Sequence, residues 1–227
     1  MLGNPRLQGG PPASSLAEHM LSLAELTARH PSLLVLDAAS ERVQVGLRER
    51  DGPWRWSACV EGAGTGIFRC LETLGVDIGL IDAFAFCEGP GSILGIRTAA
   101  AALRTWQVLR PRPAYRYSSL ELAQRGAPEP AVGIVADARR GLWHWYTPDR
   151  GLARVAAEAL SGSLATPEGF KAWAALPAGT RTVPYDVQDL LTRLSEVGLF
   201  QDAPSPDAFL HEEPAYATWT PAIHKTP

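Results

Sequence analysis

The residues best placed to do chemistry lie where apolar runs break into turns. Cys87 to Ser92 reads Cys-Glu-Gly-Pro-Gly-Ser and opens directly into the alanine-rich stretch Ile93 to Leu109. Free N–H groups at a glycine-rich helix start can hold an anion or a phosphate. No Lys follows the second glycine, as a Walker loop needs, and the spacing is not GxGxxG. Without a ligand the same residues make a plain strand-turn-helix unit. Gly89 and Gly91 permit the turn, Pro90 fixes it and Ser92 caps the helix. Taken alone, the turn reads better this second way. The five histidines, His19, His30, His144, His211 and His224, include no HxxxH pair for a metal, and no Ser-His-Asp set has a supporting motif. Cys59, Cys70 and Cys87 show neither metal nor redox spacing, which fits a reducing compartment and buried free thiols. Arg97, near the start of its helix, can meet an anion or an acidic partner residue, or simply be solvated. Arg139 and Arg140 sit at a hairpin tip, where charges are usually just wet.

Composition narrows the class. The chain has 227 residues, 46% hydrophobic and 20% charged, enough for one large domain or two small lobes. A net charge of −3 gives no global electrostatic footprint for nucleic acid. No apolar run is long enough to span a bilayer, and the N-terminus lacks the pattern of a secretory signal, so a cytoplasmic protein is expected.

The elements that must position these residues follow in order. Residues 1–31 form an N-terminal extension with one amphipathic helix, capped at Ser14 or Ser15 and running to about Arg29. Leu16, Met20, Leu23 and Leu26 or Thr27 make its stripe. Residues 32–125 read as βββαβαβα, a first α/β lobe with a mixed sheet. Its strands are Leu33 to Leu36, Val43 to Leu47, Trp54 to Val60, Ile81 to Cys87 and Ala114 to Tyr117. Its helices are Gly64 to Leu74, the long one after Ser92, and a short one to Gln124. Gly95, Ala99 and Ala102 lie on one face of the long helix, a small-residue stripe that lets another helix come close. Residues 126–227 form a second α/β lobe with a Pro-rich tail. Strands at Ala131 to Ala136, Leu142 to Thr147 and Leu152 to Glu158 precede a helix opened by Thr166-Pro167-Glu168. A strand at Arg181 to Tyr185 and a helix capped by Asp186 follow. The chain also repeats itself: Leu34-Val35-Leu36-Asp37-Ala38 echoes Ile134-Val135-Ala136-Asp137-Ala138, each an apolar strand, an Asp-Ala turn and an alternating strand.

Two lobes opening on such hairpins resemble the actin, sugar-kinase and heat-shock-ATPase superfold, a ribonuclease H-like architecture with mixed sheets. Three segments narrow the resemblance. Leu34 to Ser40 resembles an opening "ILAIDTS", Glu88 to Arg97 resembles "GPGSFTGLR", and Asp137-Ala138-Arg139-Arg140-Gly141 resembles "DARRGEVY". Together they are similar to the TsaB family, also called YeaZ, over roughly Ser32 to Tyr146. Glu212 to Tyr216 resembles that family's closing "EPVYLR".

The resemblance implies a non-catalytic scaffold or activator subunit without a cofactor or metal of its own. Its partners would be a catalytic TsaD-like paralogue and a TsaE-like ATPase, and homodimers also occur in the family. It would work in tRNA threonylcarbamoyladenosine modification, with tRNA met through the complex. It places the partner surface on the two helices of the first lobe, here at Ile67, Leu71, Gly95, Arg97, Ala99, Ala102, Leu103 and Trp106. In related ATPases, aspartates at the turns hold a metal-bound water, which makes Asp37, Ser40 and Asp137 the cofactor-site candidates. The competing reading is that each Asp satisfies the N–H groups of its own turn. The first turn, Asp37-Ala38-Ala39-Ser40, has no glycine where a phosphate would need close backbone approach, which argues against an ATP-dependent kinase or ATPase. A peptidase, the label some relatives have carried, lacks a nucleophile or metal set.

Three features depart from the family. Glu61 to Phe68 replaces a His-containing "HSERLLP"-like helix start, the long helix before the closing motif shrinks to Ser205 to Leu210, and the N-terminal helix is extra. The extra helix is expected to fill the groove that the missing helix leaves. Loss of the TsaD partner altogether, leaving a homodimer, is the alternative raised by the altered helix start.

Overall fold

The computed structural model describes residues 20–50, 52–129 and 132–209. After Leu23–Arg29 (α1), the strands Leu33–Asp37 (β1), Val43–Arg48 (β2) and Arg55–Cys59 (β3) form an antiparallel meander. Ala63–Leu74 (α2), Ala83–Gly89 (β4), Ile93–Leu109 (α3), Ala114–Ser118 (β5) and Ser119–Gly126 (α4) complete the first half. β4 lies between β1 and β5 and runs parallel to both, which explains its continuous apolar run. The alternation along β1 then divides two cores. Leu34 and Leu36 face α2 and α3, whereas Leu33 and Val35 face α4 and the second half of the chain.

The second half builds its own mixed sheet from Gly133–Asp137 (β6), Leu142–Thr147 (β7), Gly151–Ala156 (β8), Leu164–Pro167 (β9) and Arg181–Val183 (β10), in the order β10-β9-β6-β7-β8. Val187–Arg193 (α5), capped by Asp186 as expected, packs with α4 between the sheets. The duplication seen in the sequence is present in space. β1 pairs antiparallel with β2 and ends on Asp37, and β6 pairs antiparallel with β7 and ends on Asp137.

Several expectations need correction. The break at residue 126 does not separate the sheets, because Gln201–Asp202 (β11) returns to the first sheet and pairs with β5. One continuous core carries Leu33 and Ala85 from the first sheet together with Ile134 and Ala165 from the second. Thr166-Pro167 does not open a helix. Both residues continue β9, where Thr166 pairs with Thr182 and Pro167 with Val183, and the Glu168 N–H donates to the Val183 carbonyl. Residues with good helix-start character are overridden by a neighbouring strand.

The first helix starts later than the sequence suggests. Ser22 caps it in a reciprocal box, accepting from the Glu25 N–H at 3.2 Å while its own N–H donates to the Glu25 carboxylate at 2.7 Å. Just upstream, Leu21 and Phe200 exchange backbone hydrogen bonds and hold the chain extended. Ser14, Ser15 and Leu16 lie outside the described residues. Leu23 and Leu26 are buried in the core that contains Leu33 and Tyr115, and the Ala24 N–H donates to the Ser195 carbonyl. The helix therefore docks between the first lobe and the segment before β11. Among the described residues no helix is long and apolar enough to cross a membrane.

Candidate functional site

The two hairpin turns and the start of α3 converge on a cleft of about 620 Å³. The cleft is where an anion at the Gly89 to Ser92 turn would sit. The Ser92 N–H instead donates to the Ala39 carbonyl at 2.7 Å, and the Ser92 hydroxyl accepts from the Gly95 N–H. The glycines serve this internal contact. A Cβ on Gly91 would collide with the Ala39 carbonyl oxygen, and one on Gly95 with that of Ala38. The first turn thus lies directly against the helix start and supplies the acceptor itself. Gly89 precedes a cis bond to Pro90, whose carbonyl accepts from the Ser119 hydroxyl.

The repeated aspartates have different fates. Asp37 is fully buried at the end of β1. Its Oδ2 accepts from the Tyr117 hydroxyl at 2.7 Å and the Tyr185 hydroxyl at 2.8 Å, and its Oδ1 accepts from the Ala39 N–H at 3.0 Å. Burial raises its carboxyl pKa, and the hydrogen bonds only partly oppose this. Tyr117 comes from β5 and Tyr185 from the loop after β10, so one carboxyl ties the two halves together. Beside it, Gln44 adds a second tie, donating to the Tyr185 carbonyl and accepting from the Val187 N–H.

Asp137 has no such enclosure. Its Oδ1 accepts from the Arg139 N–H, and its Oδ2 accepts from the N–H groups of Trp173 and Ala174 at 2.7 and 3.0 Å. Desolvation pushes its pKa up, but these three backbone donors outweigh it and the net shift is downward. Ser40 closes its own turn, donating to the Arg42 carbonyl and accepting from the Arg42 N–H. Each of the three cofactor-site candidates is therefore engaged by turn backbone or buried hydroxyls. No cluster of His, Cys, Asp and Glu among the described residues is arranged to hold a metal.

The depressed pKa of Asp137 carries a sign. Its contribution to stability is full above the unfolded carboxyl value of 3.8 and is lost as pH falls through the folded value. Asp137→Ala should therefore narrow the stability gap to wild type as pH drops toward 3. Urea midpoints measured across that range would check this.

Segment 171–174, pinned by Asp137, forms one wall of the cleft. The half-exposed Trp173 ring has the Arg139 guanidinium 3.9 Å and the Lys171 ammonium 4.2 Å from its centroid. Neither Lys171 nor Trp173 carries a sequence signal, because a chain separation of more than thirty residues hides their link to Asp137. Tyr117 and Tyr185 are equally silent in sequence.

The expected partner surface also needs correction. Ile67, Leu71, Ala99 and Leu103 lie in the core beneath α2 and α3, packed with Leu34, Leu36 and Phe86. Gly95 abuts Ala38, and Ala102 is buried as well. The small-residue stripe accommodates the chain's own first turn and sheet. Periodicity finds an apolar face but does not say what covers it. Of the eight residues, Arg97 is exposed and Trp106 half-buried against Phe84, at 5.6 Å between ring centroids. The outward surface of the two helices carries other apolar residues. Phe68 is 50% exposed and Leu94 66%, with Val108 and Leu109 beyond. Phe68 does leave a trace in the sequence, since it adds an apolar side chain off the buried stripe of α2.

The family model for TsaD, tRNA N6-adenosine threonylcarbamoyltransferase, matches residues 61–171, from the start of α2 to Lys171 in the cleft wall. A Pseudomonas aeruginosa protein described as uncharacterized, with similarity to peptidase YEAZ, is similar in structure with a TM-score of 0.51. It is 22% identical over 71% of this chain and 88% of that one. YeaZ from Pseudomonas aeruginosa also gives 0.51, at 21% identity over 72% and 90% of the two chains. Its fold is YeaZ-like. The YeaZ-like fold is of the actin type, the superfold that the hairpin repeat suggested. No curated protein matches the chain significantly.

Proposed function

We propose that this YeaZ-like chain is a non-catalytic subunit in tRNA N6-threonylcarbamoyladenosine formation. It docks a catalytic TsaD-like paralogue, is joined by a TsaE-like ATPase, and meets tRNA only through the complex. The observation that carries this reading is the outer surface of α2 and α3, where Phe68, Leu94, Arg97 and Val108 are exposed. Large exposed apolar side chains on two adjacent helices favour a protein partner. The non-catalytic part is supported by Asp37, which two tyrosines seal, and by the Ala39 carbonyl, which accepts from the helix-start amide.

Capture of a TsaD homologue from the native cell by the tagged full chain tests this. Phe68→Asp should weaken that capture by about 30-fold or more, as expected when an interface anchor is lost. Its unfolding temperature should stay near wild type, because half of the ring already faces solvent. Undiminished capture by this variant would move the docking face elsewhere. Failure of wild type to capture TsaD, together with a dimer in sedimentation, would favour the homodimer. One feature favours a second reading, an ATP-dependent enzyme of the same superfold: the open cleft with Lys171 and Arg139 in its wall. Saturable Mg-ATP binding by the isolated chain in calorimetry would put that reading first.

A further inference from the structure

Spacing in the sequence joins no two of the cysteines, yet the fold brings two of them together. Cys59 ends β3, an edge strand of the first sheet, and Cys70 lies on the inner face of α2. Their sulfur atoms are 3.6 Å apart. Cys59 is half-buried and approaches the Gly66 carbonyl at 3.4 Å, whereas Cys70 is fully buried beneath the helix. Cys87 sits in the core on the opposite face of the sheet and takes no part.

We propose that Cys59 and Cys70 form a reversible disulfide that staples β3 to α2. Joining them needs the sulfurs to close by about 1.5 Å, within reach of side-chain rotation at an edge strand. The oxidant is a peroxide. The Cys59 thiolate attacks one peroxide oxygen, so an S–O bond forms, the O–O bond breaks, and hydroxide leaves to become water. The Cys70 sulfur then attacks Cys59 Sγ. The S–S bond forms, the S–O bond breaks, and the departing hydroxide takes the Cys70 proton as a second water. Two thiols are oxidised and one peroxide is reduced to two waters. A dithiol reductant reverses the step by exchange. The order follows from access, because Cys59 alone is reachable from solvent. Burial also pushes the Cys70 thiol up to about 11, which keeps it protonated until it meets the oxidised Cys59. The staple acts on the helix that presents Phe68 but does not depend on what that face binds.

The test uses the full chain treated with hydrogen peroxide. Intact mass should fall by two hydrogen atoms, and a non-reducing peptide map should join the Cys59 and Cys70 peptides. Dithiothreitol should restore the starting mass. The oxidised form should unfold about 5–10 °C higher, as expected for closing a short loop in a chain of this size. Cys59→Ser should lose the crosslink and the shift together. Added oxygen on Cys59 without a crosslink, a crosslink to Cys87, or a disulfide between two molecules would each overturn the proposal.

Discussion

Asp37→Ala should lower the unfolding free energy by about 3–5 kcal/mol, because it strands three buried donors at once. These are the hydroxyls of Tyr117 and Tyr185 and the Ala39 N–H. Against a typical total of about 5–15 kcal/mol, that is a large fraction, and a poor yield of soluble protein is expected. Tyr185→Phe removes one donor but leaves the carboxyl two others, so it should cost about 1–2 kcal/mol. Asp37→Asn keeps an acceptor for the tyrosines and should fall between the two.

The pH dependence separates a buried acid from a polar packing residue. The raised pKa means that the fold prefers Asp37 protonated. Its favourable contribution is complete below the unfolded value of 3.8 and declines as pH rises through the folded value. The deficit of Asp37→Asn against wild type should therefore shrink between pH 4 and pH 7. This is the opposite slope to the one expected of Asp137, although the two residues hold equivalent places in a repeat. Urea unfolding at several pH values reads both slopes. A deficit that grows with pH would mean that Asp37 is held ionised.

Gly95→Ala should cost about 3 kcal/mol, at the upper end for overpacking. The added methyl meets the Ala38 carbonyl, which is backbone and cannot rotate away. Relief would require α3 to lift from the first turn, which also strains the bond from the Ser92 N–H to Ala39. Gly64→Ala supplies the control. Gly64 lies in α2 with open space where a Cβ would be, so alanine should stabilise by about 0.5–1 kcal/mol through helix propensity. Thermal melts of the two variants should therefore shift in opposite directions. A neutral Gly95→Ala would mean that the turn and helix do not meet as closely as the glycine suggests.

The structure changes the meaning of α3 more than its position. Its start, its cap at Ser92 and its small-residue stripe are all readable from the chain. The stripe looks outward only if the sheet is left out of account. In the folded chain the first hairpin turn and α2 cover it, and the face left exposed is the one carrying Leu94 and Arg97. The same holds for Thr166-Pro167, whose local chemistry favours a helix start. β10 pairs with both residues, and β6 with Leu164 and Ala165 just before them, which keeps the segment extended.

By itself the sequence determined the strand-turn-helix around Gly89 to Ser92, the repeated Asp hairpins, the order of elements in the first half and the superfold they imply. These depend on contacts near in the chain and on periodicities of two and 3.6 residues, which local composition records. Tertiary structure alone decided which side of α2 and α3 is buried. It also sealed Asp37 while leaving Asp137 on its turn, sent β11 back to the first sheet, and set Cys59 against Cys70. Each of these pairs residues across a turn, a helix or the gap between two sheets, where no spacing rule connects them. The glycines at the start of α3 belong to both groups. Their presence is written in the chain, and the carbonyls of Ala38 and Ala39 that require them are found only in the fold.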